Sequence, residues 1–373
     1  MSRSLEHAVV LGTAALVTFV GTSVVIRLAP KLGAVVQPSD RRVHEHPTVT
    51  GGGAAMYVGV LVSLVVATRL PGFRDVFAGS SEALAVVIAS SVMFFVGAVD
   101  DLRELSAPAK VAGQVLAASL LATFGLTLFF FRVPFGGLVV LSPEWATLLT
   151  VVLVVVVANA VNLIDGLDGL AAGTVAIAAG AFYLYSQQLQ KAGLILDSNI
   201  APLLALITLG ICLGFLPHNF HPARIFMGDG GALLLGLLMA SATLTVGGRV
   251  VDQFSGQVYF FLAPAVIPIL ILGVPLIDTV FAVVRRAFRR GGIATADKDH
   301  LHHRLLRMGH GHRRTVVLLW AWTALLSTVA LVPTITGSGD AIVPFALSGV
   351  GILLVLLLRP RAGDQATIDS ATL

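Results

Sequence analysis

Apolar stretches of about 20 residues recur along almost the whole chain, and this pattern restricts the possible folds more than any other feature. Eleven can be read from the sequence, at residues 8–29, 52–70, 83–99, 109–131, 147–164, 167–188, 199–217, 231–248, 258–284, 315–336 and 341–358. Inside a membrane only helices and closed barrels satisfy every backbone polar group, and stretches of this length fit helices. We therefore predict an all-α integral membrane protein with ten or eleven transmembrane helices, forming a single polytopic domain over residues 1–373.

The composition excludes a soluble fold. The chain is 56% hydrophobic, only 12% of its residues are charged, and its mean hydropathy is +0.92, whereas soluble domains carry about 25% charged residues. Cys212 is the only cysteine, which rules out a disulfide framework and a thiolate zinc site. Neither a P-loop nor a G-x-G-x-x-G motif is present. Helix ends and loops would therefore have to hold any nucleotide, and no nucleic-acid partner is expected.

The distribution of positive charge predicts the orientation of the chain. Eleven spans place the two termini on opposite sides of the membrane, and positively charged loops stay on the cytoplasmic side. If the loops after odd-numbered spans and the C-terminal tail are cytoplasmic, they hold eighteen of the 24 Lys and Arg residues. We therefore predict that the N-terminus lies outside the cell and the C-terminus in the cytoplasm.

Five polar loops then share the cytoplasmic face. They lie at residues 30–52, 97–108, 159–170, 217–231 and 285–314, and each contributes acids, amides or imidazoles. An ionised side chain deep in a bilayer costs roughly 3 kcal/mol or more, so such groups belong where water, metal or substrate meets them. We predict that these five loops form the active site.

Each acidic motif has a structural alternative. Asp100 and Asp101 end a span and could be a solvated helix end. The asparagines and aspartates of "NAVNLIDGLDGLA" (159–171) recur every three residues, and the asparagines could form helix-to-helix hydrogen bonds. Asp229 lies between glycines before an apolar helix, so it is either an N-cap or a ligand for Mg²⁺, which prefers carboxylates together with phosphate oxygens.

His300, His303 and Arg304 have the spacing of residues that share a helical face. The H-E-x-x-H pattern is absent and no cysteine assists, which disfavours zinc. Imidazoles and an arginine at the start of a helix fit a diphosphate better. Phe226 could stack on a flat ring, or it could anchor the chain at the membrane interface.

The motifs "GAVDDL", "NAVNLIDGLDGLA", "FMGDGGALLLG" and "DKDHLHHRL", in this order, resemble those of the polyprenyl-phosphate N-acetylhexosamine-1-phosphate transferases, a family similar to glycosyltransferase family 4. The resemblance runs from about residue 30 to residue 310. "DKDHLHHRL" is similar to the branch that uses UDP-N-acetylglucosamine, rather than UDP-N-acetylmuramoyl-pentapeptide. One departure is Val49–Thr50, where many relatives have proline followed by a basic residue.

The resemblance implies a role for each motif residue. Asp229 would bind Mg²⁺, for which Mn²⁺ can substitute, and Asp100 and Asp101 would serve the lipid phosphate and the metal region. The nucleotide site would be lined by Asn162, Asp165, Gly166, Leu167, Asp168 and Asn219, with Phe226 stacking on uracil. The diphosphate or the sugar would be contacted by His300, His302, His303 and Arg304, with His303 among the catalytic residues.

The implied reaction is transfer of N-acetylglucosamine 1-phosphate from UDP-N-acetylglucosamine to a membrane polyprenyl phosphate, with release of UMP. It would take place at the cytoplasmic face of the cell membrane, start lipid-linked glycan synthesis, and be compatible with a homodimer. Pro264, Pro268 and Pro275 predict a broken ninth span that opens a groove for the isoprenoid tail. The alternatives are another UDP-N-acetylhexosamine or an ion-coupled transporter, which one-sided acids and the lack of a repeat disfavour.

Overall fold

Nine long helices account for most of the residues that the structure describes. The structure is a computed structural model, and it describes residues 2–36, 47–78, 81–128, 130–133, 137–246, 305, 310–336 and 349–352. With one short helix, α3, the helices in these ranges are α1 (Arg3–Leu28), α2 (Gly53–Ala67), α3 (Arg74–Phe77), α4 (Glu82–Arg103), α5 (Ala107–Thr123), α6 (Pro143–Ile164), α7 (Leu170–Lys191), α8 (Ala201–Asn219), α9 (Gly228–Val246) and α10 (His312–Thr336).

Each long helix overlaps one predicted span. Within the described ranges, five helical segments are long and apolar enough to cross a membrane, and a sixth span results if a bent pair of helices is counted as one. The prediction of a helical membrane protein is therefore confirmed, while the total of eleven spans and the sides of the termini stay predictions. The proline-rich span 258–284 lies outside the described residues, as does 341–358 except for 349–352.

Helix boundaries follow local sequence signals. Ser2 precedes α1, and its side chain accepts a hydrogen bond from the Leu5 amide at 3.4 Å. α6 begins with Pro143, whose fixed φ suits the first helical position. Between α4 and α5 the chain turns at Glu104, with φ 46°, and the amide of Leu105 donates to Asp100 Oδ1 at 2.6 Å. This turn brings the start of α5 next to the end of α4.

Two segments differ from the predicted helical pattern. The span predicted at 52–70 stops at Ala67, and the chain bends by 99° before a short helical stretch at Pro71–Phe77. The span predicted at 109–131 ends at Thr123, and strand β3 (Phe130–Val133) pairs antiparallel with β4 (Gly137–Val140). Another short pair joins β1 (Val35–Val36) to β2 (Thr48–Val49).

Helix α9 lies at the centre of the described bundle and packs against α2, α4, α6 and α8. Small residues allow close approach, since a Cβ added at Gly236 would collide with the backbone of Ala158 in α6. Leu16, Val65 and Phe95, by contrast, are more than half exposed on the outer surface, as expected for side chains that face lipid. α9 begins at the end of the bundle where α4, α6 and α8 finish. We call this the site end, and the end where α1 begins the opposite end.

Candidate active site

The first turn of α9 is held in place by glycine contacts. A Cβ added at Gly97 of α4 would collide with the backbone of Asp229 and Gly230, and one added at Gly53 of α2 would collide with Gly231. Gly228 itself has φ +71°, a conformation that favours glycine. The glycines of "FMGDGG" therefore let three helices meet within van der Waals contact around Asp229.

Asp101 caps this turn. Its Oδ1 accepts a hydrogen bond from the amide of Asp229 at 2.8 Å, and its Oδ2 accepts one from the amide of Gly230 at 3.2 Å. Amides in the first turn of a helix have no partner within the helix and carry partial positive charge, so a carboxylate stabilises them. The cap of α9 is thus supplied by α4, and the side chain of Asp229 is directed to other partners.

Those partners centre on Lys110 in the first turn of α5. Its ammonium forms an ion pair with Asp100 Oδ2 at 2.8 Å and a second, closer one with Asp229 Oδ2. With its nitrogen turned toward the carboxylate, the Asn162 amide donates to Asp229 Oδ1 at 3.0 Å and accepts from Lys110 Nζ at 3.1 Å. We call Asp100, Lys110, Asn162 and Asp229 the carboxylate cluster.

Asp165 is a further carboxyl group beside the cluster. It directly follows the last residue of α6. Burial, followed by the negative charges of Asp229 and Asp101, raises the pKa of Asp165 to about 8. Added positive charge at this end of the described bundle would therefore favour the ionised form of Asp165.

The two asparagines of α6 have different roles. Asn159 donates to Gln114 Oε1 of α5 at 2.6 Å and to the carbonyl of Val155 at 2.8 Å. Asn159 therefore forms the helix-to-helix hydrogen bond that the sequence offered as the structural alternative for the asparagines of this motif. Asn162, one helical turn later, faces the carboxylate cluster instead. The same motif therefore supplies one packing residue and one residue of the site.

Asn219 joins two loops at the site end. Its Oδ1 accepts from the amide of Gly169 at 3.0 Å, and its Nδ2 donates to the carbonyl of Ile225 at 2.9 Å. The side chain is buried, and both of its polar atoms are engaged within the protein. In the described structure Asn219 therefore holds the loops in place, and a direct contact with the nucleotide stays a prediction.

The remaining residues of "DGLDG" divide between surface and core. Gly166 is exposed, whereas Leu167 is buried with Leu170, Leu305, Val316 and Leu319 in a second apolar cluster. The Leu167 side chain thus anchors the loop, and only its backbone is in a position to line a site.

Phe226 lies beside β2. Its amide donates to the carbonyl of Val49 at 2.8 Å, and its carbonyl accepts from the amide of Gly52 at 3.0 Å. The ring is half-buried. The segment containing the Val49–Thr50 departure is therefore joined by its backbone to the loop that precedes Asp229. Stacking of Phe226 on uracil stays a prediction.

Asp168 is the hub of a further polar group. Its Oδ2 accepts from His221 Nδ1 at 2.7 Å and from the amide of Ala223 at 3.0 Å. Its backbone amide donates to His312 Nε2 at 3.1 Å. The rings of His221 and His312 stack with centroids 4.2 Å apart. We call Asp168, His221 and His312 the imidazole triad.

The structure thus brings together the predicted residues Asp100, Asp101, Asn162, Asp165 and Asp229. His300, His302, His303 and Arg304 lie outside the described residues, although Leu305, the next residue in the chain, is buried against Leu167 and Leu170.

Sequence reasoning missed three polar residues of the site end. Lys110 was interpreted only as part of the cytoplasmic positive charge, although a lone lysine in the first turn of an apolar helix, near Asp100 in the sequence, was a usable signal. His221 and His312 are far from Asp168 in the sequence, and no local pattern joins them.

Fold and site together define an integral membrane protein with a carboxylate- and amide-rich centre built from the ends of several apolar helices. The sequence pattern of glycosyl transferase family 4 matches residues 83–247, a range that includes Asp100, Lys110, Asn162 and Asp229.

Full-length relatives extend the match. A decaprenyl-phosphate N-acetylglucosaminephosphotransferase of Mycobacterium leprae is 39% identical over 369 residues, covering 95% of this chain and 91% of the relative. A probable undecaprenyl-phosphate N-acetylglucosaminyl 1-phosphate transferase of Bacillus subtilis is 36% identical, covering 88% and 86%. A phospho-N-acetylmuramoyl-pentapeptide-transferase of Desulforudis audaxviator is 34% identical, covering 87% and 96%. The chain belongs to glycosyl transferase family 4.

Proposed function

We propose that the protein transfers N-acetylglucosamine 1-phosphate from UDP-N-acetylglucosamine to a membrane polyprenyl phosphate and releases UMP. The relatives named for N-acetylglucosamine transfer support this donor, since they match nearly the whole chain at 36–39% identity. The single structural observation that carries the proposal is the position of Asp229. Its carboxylate lies in the first turn of the central helix, beside Lys110 and Asn162.

The reaction joins two anions. A phosphomonoester carries a charge of about −1.5 to −2 near neutrality, and it must approach a diphosphate that is also anionic. One oxygen of the lipid phosphate attacks the β-phosphorus, the bond from that phosphorus to the bridging oxygen breaks, and UMP leaves with the bonding electrons. Positive charge is therefore needed at the site, both to reduce repulsion and to stabilise the leaving group.

Magnesium fits the donor set of the carboxylate cluster. Asp229 would hold the ion, with the Asp100 carboxylate as a neighbouring oxygen donor, and carboxylates are ligands that Mg²⁺ prefers. Burial is the largest cause of the raised pKa of Asp165, and the charges of Asp229 and Asp101 add to it, so a bound cation would favour the ionised form of this carboxyl group. When bound, the ion would neutralise charge on the diphosphate.

The protein's own residues orient the reactants. Lys110 holds Asp100 and Asp229 in one arrangement, and Asp101 keeps the start of α9 fixed beneath them. The Asp100 carboxylate accepts hydrogen bonds from both Lys110 and the Leu105 amide, which fix its orientation. We propose that Asp100 orients the lipid phosphate and accepts its last proton, rather than forming a covalent intermediate.

The proposed setting is the cell membrane, with eleven spans, the N-terminus outside and the site end in the cytoplasm, where nucleotide sugars are available. The bias of Lys and Arg toward the predicted cytoplasmic loops supports this orientation. A homodimer is compatible with the proposal.

The decisive assay measures UMP release from a panel of UDP-sugars by the purified protein with Mg²⁺, with and without decaprenyl or undecaprenyl phosphate. We expect release with UDP-N-acetylglucosamine only when lipid is present, loss on addition of EDTA, and recovery with Mg²⁺ or Mn²⁺. Turnover of UDP-N-acetylmuramoyl-pentapeptide alone would favour the second candidate, which the relative at 34% identity supports. No release with any UDP-sugar would overturn the proposal.

A further inference from the structure

Helix α10 is attached to the site end by three hydrogen bonds that reach two loops. The Asp168 amide donates to His312 Nε2 at 3.1 Å, Arg313 Nε donates to the carbonyl of His221 at 3.2 Å, and Trp320 Nε1 donates to the carbonyl of Leu170 at 3.4 Å. The first reaches the loop between α6 and α7, the third reaches the first residue of α7, and the second reaches the loop between α8 and α9.

Apolar packing supports the same attachment. Leu305, Val316 and Leu319 are buried against Leu167 and Leu170. Leu305 is the last residue of the "DKDHLHHRL" motif, and His312 begins α10. Apolar packing at Leu305 and the hydrogen bond of His312 therefore both attach this part of the chain to the loop that carries Asp165 and Asp168.

The hydrogen bonds of the imidazole triad hold its three residues in fixed positions relative to one another. We call this hydrogen-bonded arrangement the joint. Since His312 Nε2 accepts from the Asp168 amide, the proton of a neutral His312 ring lies on Nδ1. His221 Nδ1 and the Ala223 amide both donate to the same oxygen of Asp168. Asp168 is buried, while the two histidines are only half-buried. Burial of a charged group without hydrogen bonds costs free energy, so the loss of partners is most costly for the Asp168 carboxylate.

A metal ion is the competing explanation. The ligand atoms of Asp168, His221 and His312 all lie within 4.8 Å of one another, which is close enough for a shared cation. However, the Asp168 oxygen already accepts two hydrogen bonds, and the lone pair of His312 Nε2 already accepts one. A cation would have to displace these bonds, so the observations favour the hydrogen-bonded joint.

We propose that His312 and His221 are positioning residues. Through Asp168 they hold the start of α10 against the loop at 165–169 and the loop at 220–225, and so fix the loop that carries Asp165 beside the carboxylate cluster. The inference rests on the proposed transfer reaction for its effect on rate. The joint itself can be measured independently of activity.

The test uses two replacements of His312 that distinguish the role of its hydrogen-bond acceptor, Nε2, from the role of its ring stacking. His312→Gln retains an acceptor near the Nε2 position, whereas His312→Phe retains ring stacking on His221 and removes the acceptor. Since misplacement by about 1 Å can cost about 100-fold in rate, we expect the Phe variant to lose about 10- to 100-fold in kcat with a smaller change in KM. We expect the Gln variant to stay within about threefold of wild type, because it keeps the hydrogen bond.

Amide hydrogen exchange of the full-length protein in detergent provides the second measurement. A lost hydrogen bond of about 1 kcal/mol should speed exchange at the Asp168 amide about fivefold in His312→Phe and leave it nearly unchanged in His312→Gln. Thr328→Ala is the matched control on the same helix, because Thr328 is exposed and, among the described residues, its hydroxyl donates to the Ala324 carbonyl one turn earlier in α10. This variant should change neither kcat nor exchange.

Three results would overturn the inference: a Gln variant as impaired as the Phe variant, a Phe variant with wild-type kcat and exchange, or a stoichiometric metal in the purified wild type that both variants lose. The last would identify the triad as a metal centre. If the wild type itself releases no UMP, the proposed function fails, and the exchange measurement alone decides whether the joint exists.

Discussion

Lys110 shows how a single side chain organises the candidate site. In the described part of the chain, its ammonium lies between the carboxylates of Asp100 and Asp229, and all three side chains are largely shielded from solvent. Removing one partner of such a group leaves the others buried without compensation, which typically costs about 3–5 kcal/mol. The lysine therefore fixes the geometry of the carboxylate cluster.

Replacement of Lys110 by methionine keeps the length of the side chain and removes its charge. We expect UMP release to fall by at least about 100-fold, as for the loss of one preorganised charge-stabilising group. Lys191→Met, at the exposed opposite end, is the control and should keep wild-type turnover. Wild-type turnover in Lys110→Met would contradict the role given to Lys110.

At this scale the sequence predicts the acidic residues better than their partners. Asp100, Asp165 and Asp229 stand in recognisable motifs, and the structure gathers them. Lys110, His221 and His312 could not be assigned, because their importance arises only when α5, α8 and α10 meet. The Asn219 side chain, predicted to line the nucleotide site, is bonded to Gly169 and Ile225, and its contact with a nucleotide stays a prediction. Residue type alone does not reveal whether an amide faces a ligand or a loop.

Helix α9 is the element on which the site depends. Its first turn lies between α2 and α4 because Gly53 and Gly97 have no side chains to keep it away. Its free amides are capped from α4 by Asp101. A displacement of this turn would move Asp229 away from Lys110 and Asn162 together.

Gly97→Ala tests this dependence. The added methyl would collide with the backbone of Asp229 and Gly230, and overpacking of this kind costs about 1–3 kcal/mol. We expect a lower midpoint of thermal unfolding in detergent and a large loss of UMP release. Gly12→Ala is the matched control, since nothing lies within 4 Å of a Cβ at Gly12 and alanine favours a helix by up to about 1 kcal/mol. Equal behaviour of the two variants would refute the close-contact explanation.

Helix positions were predictable because hydropathy alone specifies them, as α6 (Pro143–Ile164) and α8 (Ala201–Asn219) show. The hairpin of β3 and β4 is not among the sequence predictions, because the span predicted at 109–131 includes the first two residues of β3 and β4 falls between predicted spans. In the sequence, Pro134 and Gly136 stand between the two strands and are a hairpin signal.

Across the whole molecule, the two ends of the described bundle have different chemistry. The site end holds the carboxylate cluster and the imidazole triad. The opposite end holds an exposed ion pair between Arg3 and Asp197, and exposed pairs contribute about 0–1 kcal/mol. The predicted orientation places these two ends on different sides of the membrane.

Single cysteines test that orientation. Cys212 is fully buried, so background labelling should be low. We expect Asp197→Cys to react with a membrane-impermeant maleimide in intact cells, and Ser106→Cys, in the exposed turn between α4 and α5, to react only after permeabilisation. The reverse pattern would place the N-terminus in the cytoplasm and contradict the proposed orientation.

The most direct measurement compares the Mg²⁺ dependence of UMP release from UDP-N-acetylglucosamine in Asp229→Asn and Asp197→Asn, with polyprenyl phosphate as acceptor. If helix ends gather around Asp229 to hold a metal-bound diphosphate, Asp229→Asn should lose at least about 100-fold in kcat, while Asp197→Asn should match the wild type at every Mg²⁺ concentration. Wild-type turnover and Mg²⁺ dependence in Asp229→Asn would contradict the assignment of the site.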